Sequence, residues 1–281
     1  MTEAGKLYIV GTPIGNLEDM TFRAVKVLQL VDLIAAEDTR HTGKLLHHFQ
    51  IQTPQISYYT HNQQRRIPEL LERLYQGHTI ALVTDAGMPG ISDPGYELVQ
   101  ACVSAKILVI PIPGVSASLT ALSVSGLSSE RFAFEGFLPI KGKDRQQRLE
   151  NLQGQTQTTI LYEAPHRLIQ TLADLAVVLG EERSIVIARE LTKLHEEVWH
   201  GTIAGAIAEY AQRHPKGEFT LVIAGADLTI EVLSEAKVRT ELQALLHQGF
   251  SRSQASRQLA QFTTLPRRQI YQIALTLPED E

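Results

Sequence analysis

ALVTDAGMPGISDPG, from Ala81 to Gly95, changes character within a few residues. Ile80 to Val83 is a short apolar run of the kind that forms a strand buried on both faces. Asp85, Gly87, Pro89, Gly90, Asp93, Pro94 and Gly95 follow as a dense series of turn residues before helical spacing starts near Tyr96. Glycine lets a ligand approach the main chain, and proline fixes φ and removes a donor, so the run predicts a rigid, backbone-lined loop. In open α/β sheets the carboxyl ends of strands are where small molecules bind. For one such loop alone, a structural connection is the preferred reading.

Other loops of the same kind lie on either side. Leu7 to Val10 reads as a first buried strand and runs into GTPIGN, Gly11 to Asn16. This loop is neither GxGxxG nor a Walker loop, which speaks against a nicotinamide or a nucleoside triphosphate. Thr21 can cap a helix carrying Phe22, Val25 and Leu28. Leu33 to Ala36 predicts the next strand and delivers Glu37, Asp38, Thr39, Arg40 and His41 to the same edge. That cluster has two readings of equal standing, a helix start capped by acidic residues and a face turned to substrate. Ile67, Leu70, Leu71 and Leu74 mark a helix with Gly77 beyond it, and Tyr96 to Cys102 marks another. Ile107 to Ile110 is a further strand, ending in the loop Pro111 to Ala117. Strands alternating with helices predict a parallel sheet, with a boundary near Gly114.

The second half has another rhythm. Strands are expected at Arg131 to Phe134, Thr159 to Tyr162, Ser184 to Ala188, Glu197 to His200 and Phe219 to Ala224. Helices are expected only at Pro165 to Leu179 and Thr202 to Arg213, so a mixed sheet follows. Lys141 to Arg145 reads as an exposed loop. Beyond Gly225, helices are expected around Val238 to Leu246, from Gln254 to Phe262 and from Pro266 to Leu275. Between Lys237 and Leu277 stand Lys237, Arg239, Arg252, Arg257, Arg267 and Arg268 against the single acid Glu241. A basic helical tail suits a nucleic-acid accessory module of helix-turn-helix type, and equally a solvated helical cap. The domains expected are 1–113, 114–226 and 227–281.

The net charge of -5 argues against a surface that coats nucleic acid throughout, while leaving room for a local basic patch. One cysteine, Cys102, excludes an internal disulfide framework and multi-cysteine zinc, and fits a reducing, cytoplasmic setting. No apolar run is long enough to suggest a membrane span. His195 and His200 are five residues apart, one too many for two ligands on a helix face, and His41, His47 and His48 match no common ligand spacing, so no metal is expected.

Six segments together carry a family resemblance: Val10 to Leu17 (VGTPIGNL), Ala36 to Arg40 (AEDTR), Thr84 to Gly95 (TDAGMPGISDPG), Pro113 to Ala117 (PGVSA), Tyr162 to Arg167 (YEAPHR) and Arg189 to Lys193 (RELTK). The chain resembles the bacterial 16S ribosomal RNA cytidine 2′-O-methyltransferases, a branch of the tetrapyrrole methylase class, from about Leu7 to its carboxyl terminus. Met88 stands where that family's loop is expected to carry threonine. The resemblance implies an α/β fold of two domains plus the helical module, S-adenosylmethionine in the cleft between the two, a homodimer, and no metal. Its target would be a cytidine ribose of 16S rRNA in the small ribosomal subunit. Cofactor contacts would come from Gly11, Pro13, Ile14, Gly15 and Asn16, from Asp85, Gly87 and Met88, from Ser116 and Ala117, and from Tyr162 and Thr220. Glu37, Asp38, Glu190 and Lys193 are candidate proton acceptors, with a carboxylate the simpler choice because lysine would need a depressed pKa. Thr39, Arg40 and Arg167 are candidate RNA contacts, with a structural ion pair as the alternative for each arginine. Two rival functions share these features: a tetrapyrrole or other small-molecule methyltransferase, and a non-catalytic RNA-binding module.

Overall fold

The computed structural model describes residues 5–226, 235–260, 263 and 265–277. The expected boundary at 227, residues 261–262 at the end of the expected Gln254 to Phe262 helix, and residue 264 lie outside them.

The first sheet is all parallel, in the order β3-β2-β4-β1-β5, from β1 (Lys6–Val10), β2 (Leu33–Ala36), β3 (Gln55–Ser57), β4 (Ile80–Val83) and β5 (Leu108–Ile112). Because all run one way, their carboxyl ends share an edge, which brings the glycine-rich loops together. Between the strands run α1 (Phe22–Leu30), α2 (Thr39–His48), α3 (Gln63–Tyr75) and α4 (Tyr96–Ser104). Thr21 caps α1 by accepting from the Ala24 amide, and Asp38 caps α2 by accepting from the Arg40 amide. The helix-start reading of Glu37 to His41 is therefore realised in α2.

Three expectations differ from what is found. β5 continues through Pro111 to Ile112, because β5 is an edge strand, where a missing amide costs no ladder bond on the open side. Phe22, part of the apolar spacing in α1, is 97 % exposed while Leu28 is fully buried. Six residues at 3.6 per turn put the two roughly 120° apart, so they cannot share a face. The three-residue β3 has no counterpart among the expected strands, being too short and polar to announce itself.

The second sheet is mixed, in the order β6-β7-β10-β8-β9. It comprises β6 (Phe132–Phe137), β7 (Thr158–Glu163), β8 (Ser184–Arg189), β9 (Glu197–Thr202) and β10 (Phe219–Ile223). Only the β6 and β7 pair is parallel. One face is covered by α6 (Lys143–Gln153), α7 (Leu168–Leu179) and α8 (Ile203–Ala211), with Leu152, Leu172, Leu175, Ala206 and Leu221 in one core. The other face packs Ile160, Val186 and Val222 against Ala121 and Leu122 of α5 (Ala117–Val124) and against Ile14 of the first loop. Lys143 to Arg145, expected in an exposed loop, opens α6 instead. Arg145 is only 9 % exposed and is held by Asp174, Thr171 and the Pro139 carbonyl, so burial comes with full pairing.

Both sheets lie in one compact unit, Met1–Ala224; Gly225–Glu281 forms a second. In the second, α9 (Glu235–His247), α10 (Arg252–Leu259) and α11 (Arg267–Leu275) bury Val238, Leu242, Leu259, Ile270 and Ile273 together. Ser251 and Gln254 form a capping box on α10. Among the described residues, no helix is long and apolar enough to cross a membrane.

Candidate active site

The loops at the strand ends are tied to one another through backbone. Thr12 and Gly87 exchange amide hydrogen bonds of 2.9 and 3.0 Å, and the Thr12 hydroxyl donates to the Thr84 carbonyl at 3.0 Å. Gly11 lies against Gly114: a Cβ on Gly11 would sit 2.7 Å from the Gly114 Cα and 2.7 Å from the Met88 sulfur. Gly87, Gly90 and Gly95 have φ of 77°, 81° and 147°, conformations that glycine adopts without strain.

This clasp frames a cavity of about 430 Å3, the size of a small-molecule site. Eight of the twelve expected cofactor contacts line it: Ile14, Asp85, Gly87, Met88, Ser116, Ala117, Tyr162 and Thr220. Thr220 stands opposite Tyr162 in the β7 and β10 ladder, so both side chains rise from one place in the second sheet. The Tyr162 ring packs edge-on against Phe134 and Phe137, and its hydroxyl accepts from the Ser118 amide at 3.2 Å, joining β7 to the start of α5. The other four lie elsewhere. Gly11 packs against Gly114, Asn16 accepts from the Glu18 amide, and Pro13 and Gly15 line a neighbouring cavity.

The cofactor-sized cavity is acidic. Glu37 accepts from the Asp85 amide at 3.2 Å and Asp85 Oδ1 accepts from the Asp38 amide at 3.2 Å, so the ends of β2 and β4 are cross-linked. Desolvation raises the pKa of Glu37; the Asp85 amide opposes this, and the charges of Asp85 and Asp38 add to it. Asp93, absent from the residues expected in the site, also lines the cavity. Burial, and then the Glu37 and Asp85 charges, push it up to about 7. Its signal is present in the central loop, but a lone aspartate among prolines reads equally well as turn chemistry.

The remaining candidates are engaged elsewhere. Asp38 is held well below the usual carboxylate range by the Arg40 side chain and then its amide, and Arg40 is 89 % exposed. Thr39 opens α2 and lines neither cavity. The Arg167 head donates to the Leu138 carbonyl at 2.6 Å and pairs with buried Glu163 at 3.3 Å, the structural alternative. Lys193 Nζ binds Glu190 at 2.9 Å and Glu218 at 2.8 Å. Burial works against its charge, but the bonds to Glu218 and Glu190 prevail and raise its pKa. Burial likewise pushes Glu190 up, and Lys193 and the Glu218 amide outweigh it, leaving Glu190 lowered. Glu190 and Thr192 have φ of 51° and 67°, so this turn is strained as well as charged.

Residues 6–207 match the sequence profile of the Tetrapyrrole (Corrin/Porphyrin) Methylases. The chain belongs to the tetrapyrrole methylase family. A relative from Synechocystis sp. named ribosomal RNA small subunit methyltransferase I is 61% identical, covering 98% of this chain and 99% of its own. The protein of the same name from Escherichia coli O157:H7 is 46% identical over 96% of this chain and 95% of its own. Among solved structures, uroporphyrin-III-C-methyltransferase from Thermus thermophilus superposes with a TM-score of 0.56 at 22% identity, covering 78% of this chain and 94% of that one. A diphthine synthase does so with a TM-score of 0.61 at 14% identity, covering 78% and 90%. These two establish the tetrapyrrole methylase fold here and nothing about substrate. A structure of the Thermus enzyme holds S-adenyl homocysteine.

Proposed function

We infer that the chain transfers a methyl group from S-adenosylmethionine to the ribose 2′-oxygen of a cytidine in 16S ribosomal RNA. The observation that carries this reading is the single cavity in which eight expected cofactor contacts from both sheets meet. Its residues fit the cofactor: Glu37, Asp85 and Asp93 complement a sulfonium and an ammonium group, and Met88 and Ala117 offer apolar surface. Ser116, Ala117, Tyr162 and Thr220 would hold it from the second-sheet side. When bound, the cofactor supplies an electrophilic methyl on a good neutral leaving group.

The protein's own part is alignment, which is worth up to roughly 7 to 11 kcal/mol in favourable systems. The backbone clasp suits that task, because it fixes the cavity walls without relying on mobile side chains. Of the four candidate catalytic groups, Glu37 is the one that lines this cavity, and we keep it in the catalytic machinery as the carboxylate that holds the Asp85 amide at 3.2 Å. Asp38, Glu190 and Lys193 act as positioning residues through their ion pairs.

The names of the relatives favour RNA over a tetrapyrrole, and a non-catalytic role would leave the acidic cavity without a purpose. The same reading includes the assembled small subunit as substrate, a cytoplasmic setting, Thr39, Arg40 and the basic helical module as RNA contacts, and the three domains 1–113, 114–226 and 227–281. It also includes a homodimer, which would cover exposed apolar side chains such as Phe22 and Leu30 of α1.

The test is transfer of labelled methyl from S-adenosylmethionine to small subunits lacking the modification, with the labelled nucleotide mapped. Label on one cytidine ribose is expected. Cofactor binding without label on RNA would refute the RNA reading and turn attention to small-molecule acceptors.

A further inference from the structure

A second cavity of about 450 Å3 lies beside the first, between the first loop, α2 and the Lys193 turn. The two share Ile14, Asp85, Ala86 and Glu218 as a common wall, so an occupant of one faces an occupant of the other. The second is bordered by two cations, Lys44 and Lys193, with the His41 ring beside them. Lys44 is exposed and pairs with no carboxylate among the described residues, leaving its ammonium available. Lys193 is instead held in place by Glu190 and Glu218. On a chain of net charge -5, these cations form a local feature rather than part of a general one.

Asp85 gives the shared wall its chemistry. Its Oδ1 is occupied by the Asp38 amide, and Oδ2 has no hydrogen-bond partner among the described residues. Resting on the ribosomal RNA methyltransferase reading above, we propose that this second cavity receives the target nucleotide, extruded from its RNA, with Lys44 on an adjoining phosphate and the 2′-hydroxyl at Asp85. Enzymes that act on a stacked base extrude its nucleotide into a pocket, and the same movement would bring the target ribose into this one. The oxygen–carbon bond forms as the sulfur–carbon bond breaks, the bonding pair stays on sulfur as a neutral thioether, and the hydroxyl proton passes to Asp85 Oδ2.

Two full-length variants test the site. Lys44→Glu reverses a cation at the mouth. Leu17→Trp fills the second cavity from a residue that is 39 % exposed and does not line the first. Binding of S-adenosylmethionine, measured by calorimetry, should stay within about twofold of wild type in both. For Lys44→Glu, the slope of log affinity for small subunits against log salt should shrink by about 0.7 to 0.9 for each phosphate that is no longer neutralised. A merely structural lysine would not move that slope. For Leu17→Trp, single-turnover methylation should fall at least about tenfold with the cofactor saturating. An unchanged slope together with wild-type methylation would overturn the proposal, as would loss of cofactor affinity in both variants. If wild type itself binds cofactor but does not methylate subunits, the functional reading falls first and takes this one with it.

Discussion

At the scale of single residues, the site depends on carboxylates kept close together. Asp93 pays for its position beside Glu37 and Asp85 with a pKa of about 7. Because this folded-state value lies above the ordinary carboxylate value, the folded protein binds more protons than the unfolded chain across that window. The contribution to stability is fully present below about pH 4 and is lost as pH rises through about 7. Asp93→Asn removes it, so the difference in melting temperature between variant and wild type should grow in the variant's favour from pH 5 to pH 8. A difference that stays flat with pH would show that Asp93 titrates normally. Asp85→Asn separates a proton acceptor from a cofactor ligand: the asparagine oxygen can still accept from the Asp38 amide, so the loop should hold its shape. With the cofactor saturating, single-turnover methylation should drop about 10² to 10⁴ fold while small subunits still bind, the range typical of a lost general base. Activity within a few fold of wild type would remove Asp85 from that role.

At the scale of elements, parallel strands bring their carboxyl-end loops to one edge, and two glycines let those loops touch. Gly11→Ala would place a methyl 2.7 Å from the Gly114 backbone, which cannot yield as a flexible side chain can. It should destabilise the protein by about 1 to 3 kcal/mol, read by denaturant unfolding, and should also weaken cofactor binding because the walls move apart. Loss of stability alone, with cofactor affinity intact, would mean that the clasp does not shape the cavity. This level is largely legible in the sequence, because glycine and proline mark rigid loops and apolar runs mark the strands between them. Which loop residues face the cavity is less so: Gly11 and Ile14 look alike as loop positions, yet one packs against backbone and the other lines the site. The Lys141 to Arg145 segment misleads for a related reason. A run of charge looks solvated until a partner such as Asp174, far along the chain, is seen to neutralise it.

At the scale of the whole molecule, the two cavities and the basic helices occupy separate compact units, each with its own core. Arg257, Arg267 and Arg268 are exposed in the second unit, Arg267 donating to the neutral Ser253 hydroxyl, whereas Arg239 pairs with Glu235, so part of the unit's positive charge is offset within it. Both cavities are lined entirely by residues of the first unit. Truncation before Leu233, a residue outside those described, should therefore leave the first unit folded and its affinity for S-adenosylmethionine within about twofold, since every residue lining the cofactor cavity is kept. The affinity for small subunits should fall and lose part of its salt dependence, because phosphate neutralisation dominates both quantities. Arg257→Glu combined with Arg268→Glu should reproduce the loss without shortening the chain, which separates the effect of charge from that of structure. Methylation of assembled subunits at the wild-type KM by the truncated protein would place the whole of substrate recognition on the first unit, and the helical module would then be a cap rather than an RNA-binding arm.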